Sequence, residues 1–526
     1  MHKLLYGHRS NQQQIAESMI AIAFLLLVAL AHLPSLFAWF NGDDFIHIQE
    51  LAISFPKLLT KTLSAHVFDP VQKDIHFRPL TNIFMGLLFD TASPIFIRSI
   101  ILFLHFINGW LLFHLAQKIF NNSFGPFVSA CLFLVNPSLC LTIYWISAIG
   151  DVLITFFGLL IMILFENEEK GYWSNILIII YFILGLFSKE MIFTLPVLLL
   201  FYSFYFHRIL KDWRLISILA LVALIFFVFR GFYIGSFFAG KANFYYFSFG
   251  GNTLLAIVKY AVWIFSPFPF HWIVKQPVLL AFSLIWILGL FVTIRRENGI
   301  KNLKELSIFL IMIIISLLPV INSPGNWYLY FPMTFFALAC ASILSKIKIR
   351  PVLVVLIGFI FSCYIGVSNY HSINFSKSGE FQRSILKKLS QLPEKTIIIA
   401  GIPRSYGSGI PLLSFDFIAE NALNRFYNIQ KKIHYMFISN IENYNIKTYV
   451  WCKENQVEMQ LPPKTYSYFW DIGDETSRNG WEIKPLVMNI LGKPTSVRLQ
   501  KKPGTPFYIY NGNTLERYPE CCNIRR

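Results

Sequence analysis

The chain has 526 residues, of which 55% are hydrophobic and only 14% charged, with a mean hydropathy of +0.55; a soluble domain carries roughly 25% charged residues. This balance excludes an ordinary soluble enzyme, and apolar runs without strict alternation exclude a transmembrane β-barrel. A formal net charge of +17 points in such a chain to basic cytoplasmic loops and anionic lipid, not to nucleic acid, for which no motif is present.

The first span is predicted over Met19–Phe40, close to the ~20 residues that cross a bilayer. It is too long for a signal-peptide core and lacks a small-residue cleavage site, so it reads as retained. Residues 1–18 carry Lys3 and Arg9 against Glu17, which places them in the cytoplasm. The chain then emerges outside at Asn41-Gly42-Asp43-Asp44. A long first outer loop, 41–93, contains expected interfacial helices at Phe45–Leu63 and Leu80–Phe89, with His76-Phe77-Arg78-Pro79-Leu80 between them.

Further spans are expected at Pro94–Phe120, Phe124–Trp145 and Val152–Phe165, the last two joined by an outer turn ending Gly150-Asp151. The apolar stretch Tyr172–Phe206 is too long for one helix and splits at Ser188-Lys189-Glu190. Leu215–Phe232 follows a basic loop, His207–Arg214, and leads to an aromatic outer loop, Gly235–Asn252. Thr253–Trp272 holds Lys259 and the breaker run Ser266-Pro267-Phe268-Pro269; the positive-inside rule favours a re-entrant course, because the basic loop Arg295–Lys304 then falls inside. Pro277–Ile294, Leu306–Ile321, Phe331–Leu344 and Pro351–Val367 complete about 11 spans, or 12 if Thr253–Trp272 crosses.

Residues 371–526 change character, with 21 Lys and Arg against 13 Asp and Glu. Short β-like runs appear at Thr396–Ala400, Thr448–Cys452, Tyr466–Trp470, Thr495–Leu499 and Phe507–Tyr510. Helical patterning appears at Phe381–Leu389 and Ile418–Arg425. The expected fold is therefore a polytopic α-helical membrane protein: a cytoplasmic N-terminus (1–18), a transmembrane domain (19–370) and a small extracytoplasmic C-terminal α/β domain (371–526). The seven cysteines show no metal-ligand spacing; Cys452, Cys521 and Cys522 sit where a disulfide is open to them if the tail is outside.

In this topology Asp43-Asp44, His76 and Arg78, Asp151, Lys189-Glu190 and Asn326-Trp327-Tyr328 all fall at outer ends of spans. Charges cost roughly 2.5–3.5 kcal/mol or more inside a bilayer, so acids and bases gathered on one face read as a site. Such a set suits a lipid-linked substrate. A carboxylate takes the proton of an attacking hydroxyl, and cations hold a phosphate as it leaves. Each residue also has a plainer reading. Asp43-Asp44 mark a helix end, Arg78 snorkels, His76 is a surface neighbour, Asp151 caps a helix, and Lys189 and Glu190 pair with each other. His105 and His114, nine apart, read as packing residues. The sequon Asn121-Asn122-Ser123 falls inside and carries no weight.

Taken in order, the acidic pair after span 1, Phe77-Arg78-Pro79-Leu80-Thr81, Asn136-Pro137 with Trp145-Ile146-Ser147 and Gly150-Asp151, Ser188-Lys189-Glu190, and Tyr328-Leu329-Tyr330-Phe331-Pro332 resemble motifs of the GT-C superfamily of membrane glycosyltransferases. The nearest likeness is to protein O-mannosyltransferases of the transmembrane, tetratricopeptide-repeat type. It covers roughly residues 19–345. The resemblance implies sugar transfer from a polyprenyl-phosphate donor to an acceptor hydroxyl on protein or glycan, with inversion. It implies Asp43 as general base supported by Asp44, and Arg78 and Lys189 on the donor phosphate. Asp151, Glu190, His76 and Tyr328 take supporting places. A divalent metal ion is left open, with Asp43, Asp44 and Asp151 as its ligands, and no organic cofactor is implied. Two departures stand out. Asn326-Trp327 replaces a frequent Glu-Arg, and the repeats are absent, so the acceptor need not be protein. The compartment implied is a bacterial cytoplasmic (inner) membrane, with the endoplasmic reticulum as the other option. The competing classes are a lipid or small-solute transporter and a non-catalytic cell-envelope assembly protein.

Overall fold

The computed structural model describes residues 11–63, 77–91, 93–167, 171–206, 209–234, 251–266, parts of 268–284, 299–346, 351–403, 405–406, 410–411 and 416–439, and beyond 439 the strands named below. The chain forms two compact units, one of residues 1–36 and 51–372, the other of 37–50 and 373–526.

In chain order the described helices are α1 (Asn11–His32), α2 (Asp44–Leu51), α3 (Phe55–Leu63), α4 (Pro79–Thr91), α5 (Pro94–Phe120), α6 (Phe124–Leu134), α7 (Cys140–Tyr144), α8 (Ile149–Phe165), α9 (Tyr172–Ser188), α10 (Leu195–Tyr205), α11 (Ile209–Ile234), α12 (Gly251–Phe265), α13 (Gly299–Leu317), α14 (Pro332–Leu344), α15 (Pro351–Gln391) and α16 (Asp416–Tyr427). Among the described residues five stretches are long and apolar enough to cross a membrane: Gln14–Phe37, Pro94–Phe120, Ile146–Phe165, Lys211–Phe232 and Leu353–Gln391. The chain is an integral membrane protein. The remaining apolar helices are shorter. α12, at 15 residues, reaches about 22 Å at the helical rise, short of the ~30 Å hydrocarbon core. The expected span Pro277–Ile294 and the loop Gly235–Asn252 lie mostly outside the described residues.

Local chemistry sets the helix ends. Ser93 caps α5, accepting from Phe96 N at 3.4 Å, and Pro94 occupies the first turn, where its missing N–H costs nothing. Asn121 ends α5 in the left-handed region, its N–H returning to Gln117 O. In the larger unit α8 is the most enclosed of the long helices, with 83% of its span window buried, while Leu353–Gln391 has only 22% buried and presents Val354, Val355 and Phe359 outward.

The expected continuous span Phe124–Trp145 is instead broken. α6 stops at Leu134, and Pro137–Tyr144 continues at 43° to it. Pro137 has no N–H to donate, and Asn136 before it is extended, with ψ 119°. The released carbonyls are taken up by other helices. Leu134 O accepts from His32 Nε2 (2.8 Å) and His105 Nε2 (3.0 Å), and Val135 O accepts from Ser368 Oγ (2.8 Å). A carbonyl only accepts, so each Nε2 carries the proton. In the neutral ring each Nδ1 then accepts from a tyrosine hydroxyl, Tyr144 for His32 (2.6 Å) and Tyr330 for His105 (2.7 Å). In hydrocarbon every backbone polar group must find a protein partner, and these side chains supply them. His105 is thus a staple as well as a packing residue.

A second correction concerns the last span, which was expected to end at Val367. α15 runs unbroken through 41 residues to Gln391, because the polar stretch after Val367 contains no proline and its serines bond back within the helix or to neighbours within their unit. The helical pattern at Phe381–Leu389 is its continuation.

In the smaller unit the described strands are β1 (Thr396–Pro403), β2 (Ser405–Tyr406), β3 (Ile410–Pro411), β4 (Lys432–Ser439), β5 (Tyr449–Lys453), β6 (Gln456–Gln460), β7 (Tyr468–Phe469), β8 (Ser477–Arg478), β9 (Trp481–Met488), β10 (Pro494–Gln500), β11 (Phe507–Tyr510) and β12 (Leu515–Tyr518). One sheet runs β12-β11-β1-β4-β7, with β1 parallel to both β11 and β4; the second, β5-β6-β10-β9-β8, is antiparallel throughout. Parallel neighbours need a crossover, and α16 supplies it between β1 and β4. It buries Ala419, Ala422 and Leu423, and Glu420 accepts from Ile433 N at 2.9 Å.

Candidate functional site

In the larger unit four charged side chains from three distant segments meet. Lys189 Nζ lies 2.5 Å from Asp151 Oδ2, with side-chain exposures of 6% and 1%. Arg78 grips Glu190 with two parallel bonds, Nε to Oε2 at 2.9 Å and NH2 to Oε1 at 2.5 Å, with exposures of 19% and 20%. The expected pairing of Lys189 with Glu190 does not form. Lys189 is extended, φ −162° and ψ 140°, so adjacent side chains leave on opposite sides. One turns to α8 and the other to the segment before α4.

Asp151 stands in the first turn of α8, but neither carboxylate oxygen caps that helix: Oδ2 serves Lys189 and Oδ1 accepts no hydrogen bond among the described residues. The capping reading is thereby set aside. The segments are tied together by Thr81 Oγ1, which donates to Ser188 O at 2.7 Å. Gly150 allows Ser188 and Thr81 close, since a Cβ there would meet Ser188 O at 3.2 Å. Tyr328 lays its ring 4.7 Å from Lys189 Nζ, a cation–π contact. Its segment, Asn326–Leu329, is held by Thr142 Oγ1 on Trp327 O (3.1 Å) and by the edge contact of Trp145 with Trp327 (5.7 Å). Asn108, which no sequence signal singled out, donates to both Val152 O (3.1 Å) and Tyr330 Oη (3.3 Å), joining the start of α8 to the Tyr328 segment.

The formal charges of the four residues cancel. A lone buried ion is costly, whereas a paired and hydrogen-bonded one is tolerated. The arrangement therefore holds two cations ready in fixed positions without a standing charge excess.

The acidic pair lies in the smaller unit. Gly42 is in the left-handed region at φ 53°, which glycine adopts without strain. Asp44 is fully buried and its Oδ2 accepts from Asn41 N at 3.1 Å, closing the turn. Asp43 is only partly buried. Its carbonyl accepts from Ile46 N (3.0 Å) and His47 N (3.1 Å), which makes it the residue that opens α2. The two acids therefore differ: Asp44 is fully buried and closes the turn, and Asp43, partly buried, opens α2. His76 lies outside the described residues.

Among the described residues no three His, Cys, Asp or Glu side chains are placed to hold an ion. Asp44 spends Oδ2 on the turn and Asp151 spends Oδ2 on an ammonium, whose charge opposes a second cation.

No protein-family model matches the chain, and no curated protein matches it. Among solved structures it is similar to the crystal structure of ArnT from Cupriavidus metallidurans bound to undecaprenyl phosphate, with TM-score 0.47 and 9% identity over 84% of this chain and 97% of that one. It is also similar to the archaeal oligosaccharyltransferase AglB from Archaeoglobus fulgidus, in complex with an inhibitory peptide and a dolichol-phosphate, with TM-score 0.44 and 12% identity over 74% of this chain and 63% of that one.

Proposed function

We propose that this protein is a GT-C-type membrane glycosyltransferase that moves a sugar from a polyprenyl phosphate to an acceptor hydroxyl on the extracytoplasmic side of a bacterial cytoplasmic membrane. One observation carries the reading. Motifs scattered from Phe77 to Tyr328, which resemble that superfamily in order, converge on a single charge cluster: Arg78–Glu190, Asp151–Lys189 and the Tyr328 ring.

In this proposal Asp43 takes the proton of the acceptor hydroxyl. The acceptor oxygen forms its bond to the anomeric carbon as the bond from that carbon to the phosphate oxygen breaks. Polyprenyl phosphate leaves, its charge met by Arg78 and Lys189, and the single displacement inverts the anomeric centre. Arg78 is the more exposed cation, and its planar fork suits phosphate oxygens. No step is routed through a metal ion. A transporter would use the break in α6–α7 as its substrate site, but there the freed carbonyls are already occupied by His32, His105 and Ser368.

The test is sugar transfer by purified protein in liposomes, with a panel of radiolabelled polyprenyl-phosphate sugars and candidate acceptors. Release of polyprenyl phosphate from one donor, lost in Asp43→Asn, is expected. Turnover that survives Asp43→Asn overturns the assignment of the base.

A further inference from the structure

The turn that carries Asp43 is not held by its own residues alone. Within the smaller unit, three polar contacts fasten it to the C-terminal half of α15. Gly42 N donates to Gln382 Oε1 at 3.2 Å. Ser378 Oγ lies 2.7 Å from Asn41 Oδ1 and shares its one proton between that oxygen and Phe375 O at 2.8 Å. Gln382 Nε2 donates to the same Asn41 oxygen. The orientation of the Asn41 amide is fixed independently, because its Nδ2 donates to Trp39 O at 3.0 Å. Asn41, Ser378 and Gln382 are all fully buried.

The backbones approach closely at this point. A Cβ on Gly379 would lie 2.5 Å from Trp39 N, so only glycine lets α15 lie against the turn. Ser378, Gly379 and Gln382 occupy one face of the helix, one turn apart. Trp39, Phe40 and Phe45 close the other side on the Phe426 ring, at 5.0, 5.8 and 6.1 Å. The backbone is thus gripped on both sides of Asp43: before it through Asn41 and Gly42, after it through the α2 amides.

Burying a glutamine is costly unless both ends of its amide are used. Packing α15 against the turn needs no such group, since leucine or methionine would fill the space. Gln382 uses its oxygen on Gly42 and its nitrogen on Asn41, which is a device for fixing a backbone conformation. We infer that Gln382, with Ser378, is a positioning residue for the reaction: it holds the Asn41–Asp44 turn so that the Asp43 carboxylate points at the acceptor hydroxyl. The inference rests on the reading of Asp43 as the base.

Displacing a reacting group by about 1 Å costs on the order of 100-fold. Gln382→Met keeps length and helix propensity and removes both hydrogen bonds. It is expected to lower kcat by roughly 10- to 100-fold, with the donor KM within about twofold of wild type. Gln382→Glu keeps the acceptor for Gly42 N but sets a second oxygen against Asn41 Oδ1, and is expected to lose at least as much as Gln382→Met. Ser378→Ala, which removes one contact to Asn41, serves where Gln382→Met expresses poorly.

The deciding measurement is a double-mutant cycle of polyprenyl-phosphate release per folded protein, using the donor that turns over in the transfer assay. It is run with Asp43→Glu, which keeps a carboxylate and a measurable rate on a longer arm. If Gln382 acts through Asp43, Gln382→Met costs much less in the Asp43→Glu background than in wild type. An equal fold-loss in both backgrounds, or wild-type kcat in Gln382→Met, overturns the inference while Asp43→Asn remains dead. Wild-type turnover in Asp43→Asn removes the base itself, and the positioning role falls with it, a result distinct from the other two.

Discussion

Replacing Lys189 with methionine tests the buried pair at its centre. Methionine fills most of the same space and removes the ammonium. Asp151, 1% exposed, then loses its Oδ2 partner while its Oδ1 accepts nothing among the described residues. Removing one member of a buried ion pair costs about 3–5 kcal/mol, because the other charge is left without compensation. At roughly 2 °C per kcal/mol for a chain of this size, the apparent Tm in detergent should fall by about 6–10 °C. Adding Asp151→Asn removes the stranded charge and should recover at least half of the loss, a coupling of about 2 kcal/mol or more. Light scattering during a slow ramp reads the transition, and tryptophan fluorescence checks it. A shift of under about 2 °C in Lys189→Met, below what even 1 kcal/mol would give, or single and double variants that simply add, would refute the pairing.

Arg78→Lys keeps the charge but cannot make the two parallel bonds to Glu190, so polyprenyl-phosphate release should fall about tenfold or more, measured as kcat/KM for the donor. His105→Leu leaves Tyr330 Oη without its acceptor and Leu134 O with one donor instead of two; it should destabilise the larger unit by about 1–3 kcal/mol, read as a lowered apparent Tm. Glu394 lies beyond the last span. Burial pushes its carboxyl up, but its backbone contact, the Tyr508 hydroxyl at 2.8 Å, Arg517 at 3.4 Å and Lys431 outweigh burial, so its pKa is lowered from 4.5. Tyr508 is pushed up from 10.0 to about 12 by burial and by the same carboxylate. A lowered acid stabilises above its unfolded value and loses that contribution as pH falls through the folded one; a raised phenol stabilises below its unfolded value and loses it as pH rises. The smaller unit should therefore unfold more readily below about pH 4.5 and again between about pH 10 and 12, and Glu394→Gln should flatten the acid side of a pH–Tm curve.

Much of the larger unit could be read from composition and breakers. The apolar stretch Tyr172–Phe206 does split at Lys189, and helices do form within the first loop near Phe45–Leu63 and Leu80–Phe89. The residues of the charge cluster were also visible, because polar motifs stand out in an apolar chain. Their partners were not. Which acid meets Lys189 depends on an extended φ at that residue and on α8 packing against α9, and neither is written in local spacing. The break at Pro137 was signalled by Asn136-Pro137, but continuous hydropathy across it concealed the bend. The length of α15 was missed for the opposite reason. The loss of hydropathy after Val367 reads as the end of a span, while the helix needs only the absence of a breaker. The grip of Ser378 and Gln382 on Asn41 joins residues more than 330 apart, beyond the reach of any periodicity.

The cancellation of charge at Arg78, Glu190, Asp151 and Lys189 has an electrical consequence. A membrane voltage does work on net charge, about 2.3 kcal/mol per elementary charge for each 100 mV traversed. On a closed pair it acts only through the small separation of the charges: 2.5 Å between Lys189 Nζ and Asp151 Oδ2, set against a ~30 Å core, leaves about 0.2 kcal/mol per 100 mV at most. A membrane that energises and de-energises therefore leaves this cluster almost unmoved. An isolated lysine at the same place would be drawn toward one face with every change in potential.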